Sequence, residues 1–328
     1  MKNIKGTIRI CFGIDLEIWL TFLVFALSVA LVVKSADWLT EGASGIASIL
    51  GVSEIMIGLT IVSFATTAPE FVFSVSASYL KNPDFAVGNA VGSCLCNVGL
   101  VLAFVGIAQV TKIGKGIIFR WAIPLLLFAG LVFALSLDGS ISRLDGGLIL
   151  ALFVLFYVLL IFRSKRSSRK KKVLNENLKR MVLLFLVGTA GVVIGSRLLI
   201  FTGETIAVYF GVPDMIIGIT LMAMGTSLPE LVTAITSVYK KMGGLSVGNI
   251  IGANLLDLAW VISTAAVVNP LTIDVQTLTF TFPVLLILTV VLIGCLSWKR
   301  ELNRWKGVTF LLIYIGYLVG LFLKYSVI

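Results

Sequence analysis

Two glutamates concentrate the chemistry of this sequence. Glu70 and Glu230 each follow a proline, Pro69 and Pro229, inside otherwise apolar stretches, in the settings ATTAPE (65–70) and GTSLPE (225–230). An ionised carboxylate in hydrocarbon is expensive, so an acid within an apolar span faces a protein interior or water and marks a functional path. One such glutamate could be a mere helix–helix contact. Two, each preceded by the same Thr and Pro, point to a site. Proline removes a backbone donor and crowds the carbonyl one turn earlier. Carbonyls around Ser63–Thr66 and Ala223–Thr226 are therefore expected to lose helical partners and to be free for a cation. Hydroxyls of Thr66, Thr67, Thr226 and Ser227 add neutral oxygens. The segments that follow contribute Ser93, Asn97 and Asp257, with Gly88, Gly92, Gly248 and Gly252 permitting close helix approach.

The donor set is all oxygen. The chain has no histidine, and Cys11, Cys94, Cys96 and Cys295 show no metal-ligand spacing and read as small buried residues. Hard cations such as Ca²⁺ and Na⁺ suit these donors, whereas soft transition metals favour thiolate or imidazole. Two carboxylates balance one divalent ion. Asp257, opposite a neutral Asn97 in the repeat described below, is a third acid in a small space, and at least one of the three is expected to hold a proton when no cation is bound. An Asp that only hydrogen-bonds is the plain alternative. Without a nucleotide-binding loop, uphill transport must draw on a second ion, and no cofactor is expected. A nucleophile–histidine pair is impossible, so a hydrolytic membrane enzyme is disfavoured; so is a passive channel, because interrupted helices suit alternating access.

The elements holding these residues follow from composition. The chain is 59% apolar and 13% charged, with a mean hydropathy of +1.08. A soluble protein of this size could not hide so much apolar surface. Runs of about 20 apolar residues, the length that crosses a bilayer as helix, recur along the chain, and the alternating strand pattern of a barrel does not. Ten spans are predicted: about 18–39, 55–80, 84–108, 117–137, 144–162, 181–203, 213–239, 245–268, 276–297 and 307–325. Lys2, Lys5 and Arg9 precede the first, which reads as a retained helix rather than a cleaved signal. The basic run 163–180 and the Lys/Arg-bearing loops near 112–120, 240–241 and 299–306 are expected on the cytoplasmic side of the cell membrane, with both termini outside. That distribution accounts for the net charge of +10 without a nucleic-acid partner. Transported cations and lipid are the expected partners, with no obligate protein partner.

Shifted by 160 residues, the chain matches itself without a gap. GVSEIMIGLT (51–60) falls on GVPDMIIGIT (211–220), and VGNAVGSCLCN (87–97) on VGNIIGANLLD (247–257). Over 51–100, 16 of 50 positions are identical, clustered on polar and glycine positions rather than on Leu, Val and Ile. Common ancestry of the halves explains that pattern better than shared membrane composition. Equivalent positions are five spans apart, an odd number, so the halves run in opposite directions, a recurrent transporter architecture. The expected organisation is a first five-helix repeat (1–162), a basic loop (163–180) and a second, inverted repeat (181–328).

The pair of (G/A)-T-(S/T)-x-P-E motifs, each followed by G-N-x-x-G-(S/A), resembles the α-repeats of the calcium/cation antiporter superfamily, with prokaryotic sodium/calcium exchangers the nearest likeness. The resemblance spans nearly the whole chain. It implies an all-α polytopic membrane protein of two inverted five-helix repeats, exchanging Na⁺ for Ca²⁺ by alternating access and exporting Ca²⁺. Ca²⁺/H⁺ or potassium-dependent exchange are the alternatives on the same scaffold. It further implies Ca²⁺ on Glu70 and Glu230 with backbone oxygens of Thr66 and Thr226. One flanking sodium set would be Ser93, the Ala223 carbonyl, Thr226, Ser227 and Glu230. The other would be the Ser63 carbonyl, Thr66, Thr67 and Glu70, with Asn97 and Asp257 between them. The helices near 18–39 and 181–203 would slide against the rest. Three departures stand out: ATTAPE replaces GTSLPE, Cys94 occupies a position often Asn, and Ala253 stands where the other repeat has Ser93, removing a hydroxyl from the inner sodium set.

Overall fold

The computed structural model describes residues 8–9, 15–16, 18–164, 175–210 and 225–325, and the statements below concern these. Eleven helices carry the fold: α1 (Ile18–Leu50), α2 (Glu54–Thr66), α3 (Ala68–Tyr79), α4 (Pro83–Ala108), α5 (Lys115–Leu135), α6 (Arg143–Ser164), α7 (Asn175–Tyr209), α8 (Leu228–Tyr239), α9 (Gly243–Val268), α10 (Thr277–Ser297) and α11 (Arg304–Tyr325). Eight of these are long and apolar enough to cross a membrane, and α2 with α3 makes a ninth span, bent by 43°. α8 is the described part of the seventh predicted span, whose residues 213–224 lie outside the described residues, as does most of the 163–180 loop.

Local chemistry sets the boundaries. Ser53 caps α2 by accepting the Met56 N–H at 3.4 Å, satisfying one orphan donor of the first turn. Pro69, Pro83 and Pro229 sit in the first turns of α3, α4 and α8, where a missing N–H costs nothing. After α3 and α8 the chain turns through Lys81 and Lys241, with φ of 61° and 62° at equivalent repeat positions.

The break before Pro69 differs in one respect from expectation. The Ser63 carbonyl was expected to be free, yet it accepts the Thr67 N–H at 2.9 Å. The interruption is a bend pivoting at Thr67, not an unwound stretch, because Thr67 keeps helical backbone angles (φ −78°, ψ −6°). Pro69, having no N–H, instead withholds a donor from Ala65 four residues earlier.

Burial marks the centre of the bundle. Of the apolar stretches, 78% of α4 and 83% of α9 is buried, against 22% for α1, 28% for α7, 17% for α6 and 22% for α11. α4 and α9 thus form the centre, and side-chain clusters divide the helices around it. A large core joins α3–α6 and α8–α11, whereas Leu39, Ala43, Ile46, Phe185 and Val192 of α1 and α7 cluster separately with Ile57 and Val62 of α2 and Leu245 of α9. The α1–α7 contact is backbone-close. A Cβ on Gly42 would strike Met181 O and one on Gly188 would strike Ser35 O, each at 2.7 Å. Short antiparallel ribbons tie the halves at both ends of the bundle, Thr111–Lys112 with Glu301–Leu302 and Ser140–Ile141 with Leu271–Thr272. Each ribbon joins loops that the charge pattern assigns to one side.

Candidate cation site

The site assembles where α2, α3, α4, α8 and α9 meet in the middle of the large core. Glu70 (1% exposed), Glu230 (0%) and Asp257 (1%) are buried there, with Ser63, Thr66, Thr67, Ser93, Asn97, Thr226 and Ser227. The structure brings all of these together. Ala223 lies outside the described residues. Asn97 and Asp257 each open a π-helical turn, Asn97–Leu102 and Asp257–Val261, a local widening that recurs at functional positions.

Close contacts knit the two repeats across their interface. Ser93 Oγ and Thr226 Oγ1 share a hydrogen bond of 3.2 Å, and Thr66 Oγ1 donates to Asn249 Oδ1 at 3.1 Å. Asn97 Nδ2 donates to Asn254 Oδ1 at 3.1 Å, and Asn254 Nδ2 to the Cys94 carbonyl at 2.9 Å. Cys94 Sγ lies 3.6 Å from Asn254 O and 3.9 Å from Asp257 Oδ2. Positions 94 and 254 differ by 160, so these are equivalent residues touching each other. Only residues beside a two-fold axis can do that, and the pseudo-axis of the repeats therefore passes between Cys94 and Asn254.

The unpaired atoms show what the site can do. Both carboxylate oxygens of Glu70 and of Glu230 are buried with no hydrogen-bond partner, as are Thr67 Oγ1, Ser227 Oγ, Asn97 Oδ1 and Asp257 Oδ1. Buried polar atoms are normally satisfied, and an unpaired buried charge is costly. Oxygens gathered without donors are arranged for a cation. Among the described residues, no three carboxylate, thiol or imidazole groups converge enough to hold a metal alone. Hydroxyl, amide and backbone oxygens must complete the coordination, as a hard cation prefers.

Four residues here carry roles that the motif pattern did not disclose. Asn89 Nδ2 reaches the Glu70 carbonyl (3.4 Å) and Ser74 Oγ (3.0 Å), fixing α3 against α4. Asn249, its repeat equivalent, takes the Thr66 hydroxyl instead. Asn254 links both repeats at the axis. Arg197 on α7 donates from Nη2 to the Pro69 carbonyl at 3.2 Å. An arginine within an apolar span is itself the signal that finds it. Gly248 and Gly252 make the close approaches expected of them, whereas no described residue stands within 4 Å of a Cβ placed on Gly88 or Gly92.

Removing Asn254 tests this arrangement. Asn254→Ala leaves Asn97 Nδ2 unpaired in a buried place and removes the side-chain bond to the Cys94 carbonyl, which keeps only the Asn97 N–H, a loss of roughly 1 kcal/mol or more. A clearly lower melting temperature in detergent is expected, and an unchanged one would remove Asn254 from the axis network.

Known proteins resemble this chain over most of its length. The family model described as "Sodium/calcium exchanger protein" matches residues 20–162 and 180–323. The putative antiporter CaxA of Alkalimonas amylolytica is 34% identical over 305 residues, covering 89% of this chain and 95% of that protein. The sodium/calcium exchanger MaX1 of Methanosarcina acetivorans is 28% identical over 351 residues, covering 93% and 99%. Among solved structures, the sodium-calcium exchanger NCX_Mj, soaked with 10 mM Na⁺ and zero Ca²⁺, aligns with a TM-score of 0.84 at 30% identity, covering 93% of this chain and 100% of that one.

Proposed function

The chain belongs to the sodium/calcium exchanger family, and on that premise we propose how its own residues carry the exchange of Na⁺ for Ca²⁺. It is a secondary active antiporter that works by alternating access, with Ca²⁺ leaving against sodium entry. The reading rests above all on one observation, the set of buried carboxylate, hydroxyl and amide oxygens that make no well-formed hydrogen bond in the protein. Glu70 and Glu230 hold Ca²⁺ between them, with backbone oxygens of Thr66 and Thr226. Sodium takes two flanking sets, Ser93, the Ala223 carbonyl, Thr226, Ser227 and Glu230 on one side, Thr66, Thr67, Glu70 and, through the lone pair its bond to Thr67 leaves open, the Ser63 carbonyl on the other. Asn97 and Asp257 stand between and support the two glutamates. Either cargo supplies the positive charge that the acids require in a low-dielectric surrounding, so the carrier is poorly suited to cross empty. That penalty couples the two fluxes. The basic loop 163–180 faces the cytoplasm, and a single cysteine placed in it is expected to react with an impermeant thiol reagent only from the inner side.

Vesicle reconstitution tests the ion assignment. Ca²⁺ uptake is expected to follow an imposed Na⁺ gradient and to need neither a pH gradient nor K⁺. Uptake that tracks only the pH gradient, or that requires K⁺ beside Ca²⁺, overturns it.

The broken symmetry of the inner set gives a second test. Ser93 meets Thr226 at 3.2 Å, but its equivalent is Ala253, and Thr66 turns to Asn249 instead. Ala253→Ser supplies the absent hydroxyl. A neutral oxygen contact is worth about 1 kcal/mol, which corresponds to an apparent sodium affinity about fivefold higher. Measured as the Na⁺ dependence of Ca²⁺ flux, no change would remove position 253 from the inner set.

A further inference from the structure

Asp37 on α1 and Arg197 on α7 occupy the same repeat position, since 197 − 37 = 160, yet they carry opposite charges and find different partners. Lys240, the residue after α8, places Nζ 2.5 Å from Asp37 Oδ1 and donates to the Asp37 carbonyl at 2.8 Å. Lys34 lies 3.5 Å from Asp37 Oδ2. Arg197 instead donates to the carbonyl of Pro69, at the start of α3. α3 and α8 are themselves equivalent, 68–79 against 228–239. So one position on the outer pair meets the C-terminal end of one proline–glutamate helix and the N-terminal end of the other. Pro229, the equivalent of Pro69, is 11 residues before Lys240, about 16 Å along a helix. Side-chain reach covers part of that span but not all of it. The packing agrees: α1 lies along α8, whereas α7 leans on α8 and α2 rather than along α3. The α1–α7 pair, seated on α2 and α9 through a shared apolar cluster, is displaced along the helix direction, off the place that exact two-fold symmetry about the pseudo-axis would give it.

Exchanging the roles of the repeats generates the opposite state. In it Asp37 comes to the Pro229 carbonyl, where two oxygens repel. Arg197 comes to the position of Leu80, beside Lys81, where like charges meet. Neither polar contact has a counterpart after the exchange.

We propose that the Asp37–Lys240 ion pair and the Arg197–Pro69 carbonyl bond form a two-point latch that holds the α1–α7 pair at one end of its travel. This rests on the alternating-access reading but not on which ions are carried. With the loop sidedness given above, Lys240 is cytoplasmic, and the latch closes the cytoplasmic end.

Distances between spin labels test it directly. Cysteines replace the exposed Glu204 at one end of α7 and Leu144, 86% exposed, at the start of α6. The background carries Cys11→Ser and Cys295→Ala, while Cys94 and Cys96 are buried. In lipid nanodiscs without Na⁺ or Ca²⁺, one distance is expected to dominate. Asp37→Asn and Arg197→Met are each expected to move the ratio of the two populations about fivefold toward the second distance, the upper range for an accessible ion pair. Exchanging the charges in Asp37→Lys/Lys240→Asp is expected to restore the first distance. Unmoved distributions in both single variants, or no restoration by the exchange, overturn the latch. Failure of sodium coupling in the flux assay, with the distances still shifting, overturns only the ion assignment.

Discussion

Glu230→Gln is expected to reduce sodium-driven Ca²⁺ flux at least about a hundredfold, and Glu70→Gln to do the same, while the helices stay assembled. A unit charge 4 Å away is worth about 4 kcal/mol per cation charge at an effective dielectric constant of 20, so removing one carboxylate from a divalent ion exceeds a factor of a hundred. Glutamine also turns an amide donor toward the place the cation would take. The same change costs the unloaded protein little. Neither carboxylate of Glu70 or Glu230 has a well-formed hydrogen bond in the protein, the Thr66 hydroxyl being at most a weak donor to Glu230, so little internal bonding is lost. Removing an unpaired buried charge relieves a desolvation cost. The apo melting temperature should therefore hold or rise. The rise in melting temperature that Ca²⁺ gives by binding the folded state should disappear. Retained flux in either variant, or lost assembly without it, would sink the assignment of these two residues.

The arrangement was half legible in the sequence. The spans, the burial of Glu70 and Glu230 and the bend before Pro69 follow from hydropathy, from a carboxylate in an apolar run and from proline chemistry. Each is a local property that a pattern can carry. The 160-residue offset also contains more than it first yields. It places Cys94 on Asn254 and Asp37 on Arg197, but contact between equivalent residues needs the position of the pseudo-axis, which is tertiary. For the same reason Asn249 and Asn254 stay silent in the motif: their amides act across the repeat interface, on Thr66, Asn97 and Cys94. The Ser63 carbonyl is engaged because proline breaks the bond four residues before itself, at Ala65, and leaves the Thr67 N–H to close the turn at Ser63.

Gly248→Leu is expected to destroy transport by a different route, without touching any oxygen of the site. A Cβ at Gly248 would fall on the Ile55 carbonyl and within 3.0 Å of the Leu59 N–H nitrogen, both backbone atoms of α2. One turn later a Cβ at Gly252 would come 2.8 Å from the Leu59 carbonyl and 2.7 Å from Ser63 Oγ. Backbone cannot rotate aside as a side chain can, so α9 must move off α2 along this whole seam. Overpacking of that kind costs about 3 kcal/mol. The displacement would also part Thr66 from Asn249, now 3.1 Å apart, and carry Asp257, on the same helix, away from the two glutamates. Loss of flux here should come with a lower apo melting temperature, the opposite sign from Glu230→Gln. Gly316→Leu on α11, where no described atom lies within 4 Å of an added Cβ, should leave both readings unchanged. If Gly248→Leu lowered flux with an unchanged melting temperature, the seam would not be what positions the site. The close approach of α9 to α2 would then be incidental to binding, and the oxygens would have to be held from the α4 side through Ser93 and Asn97 alone.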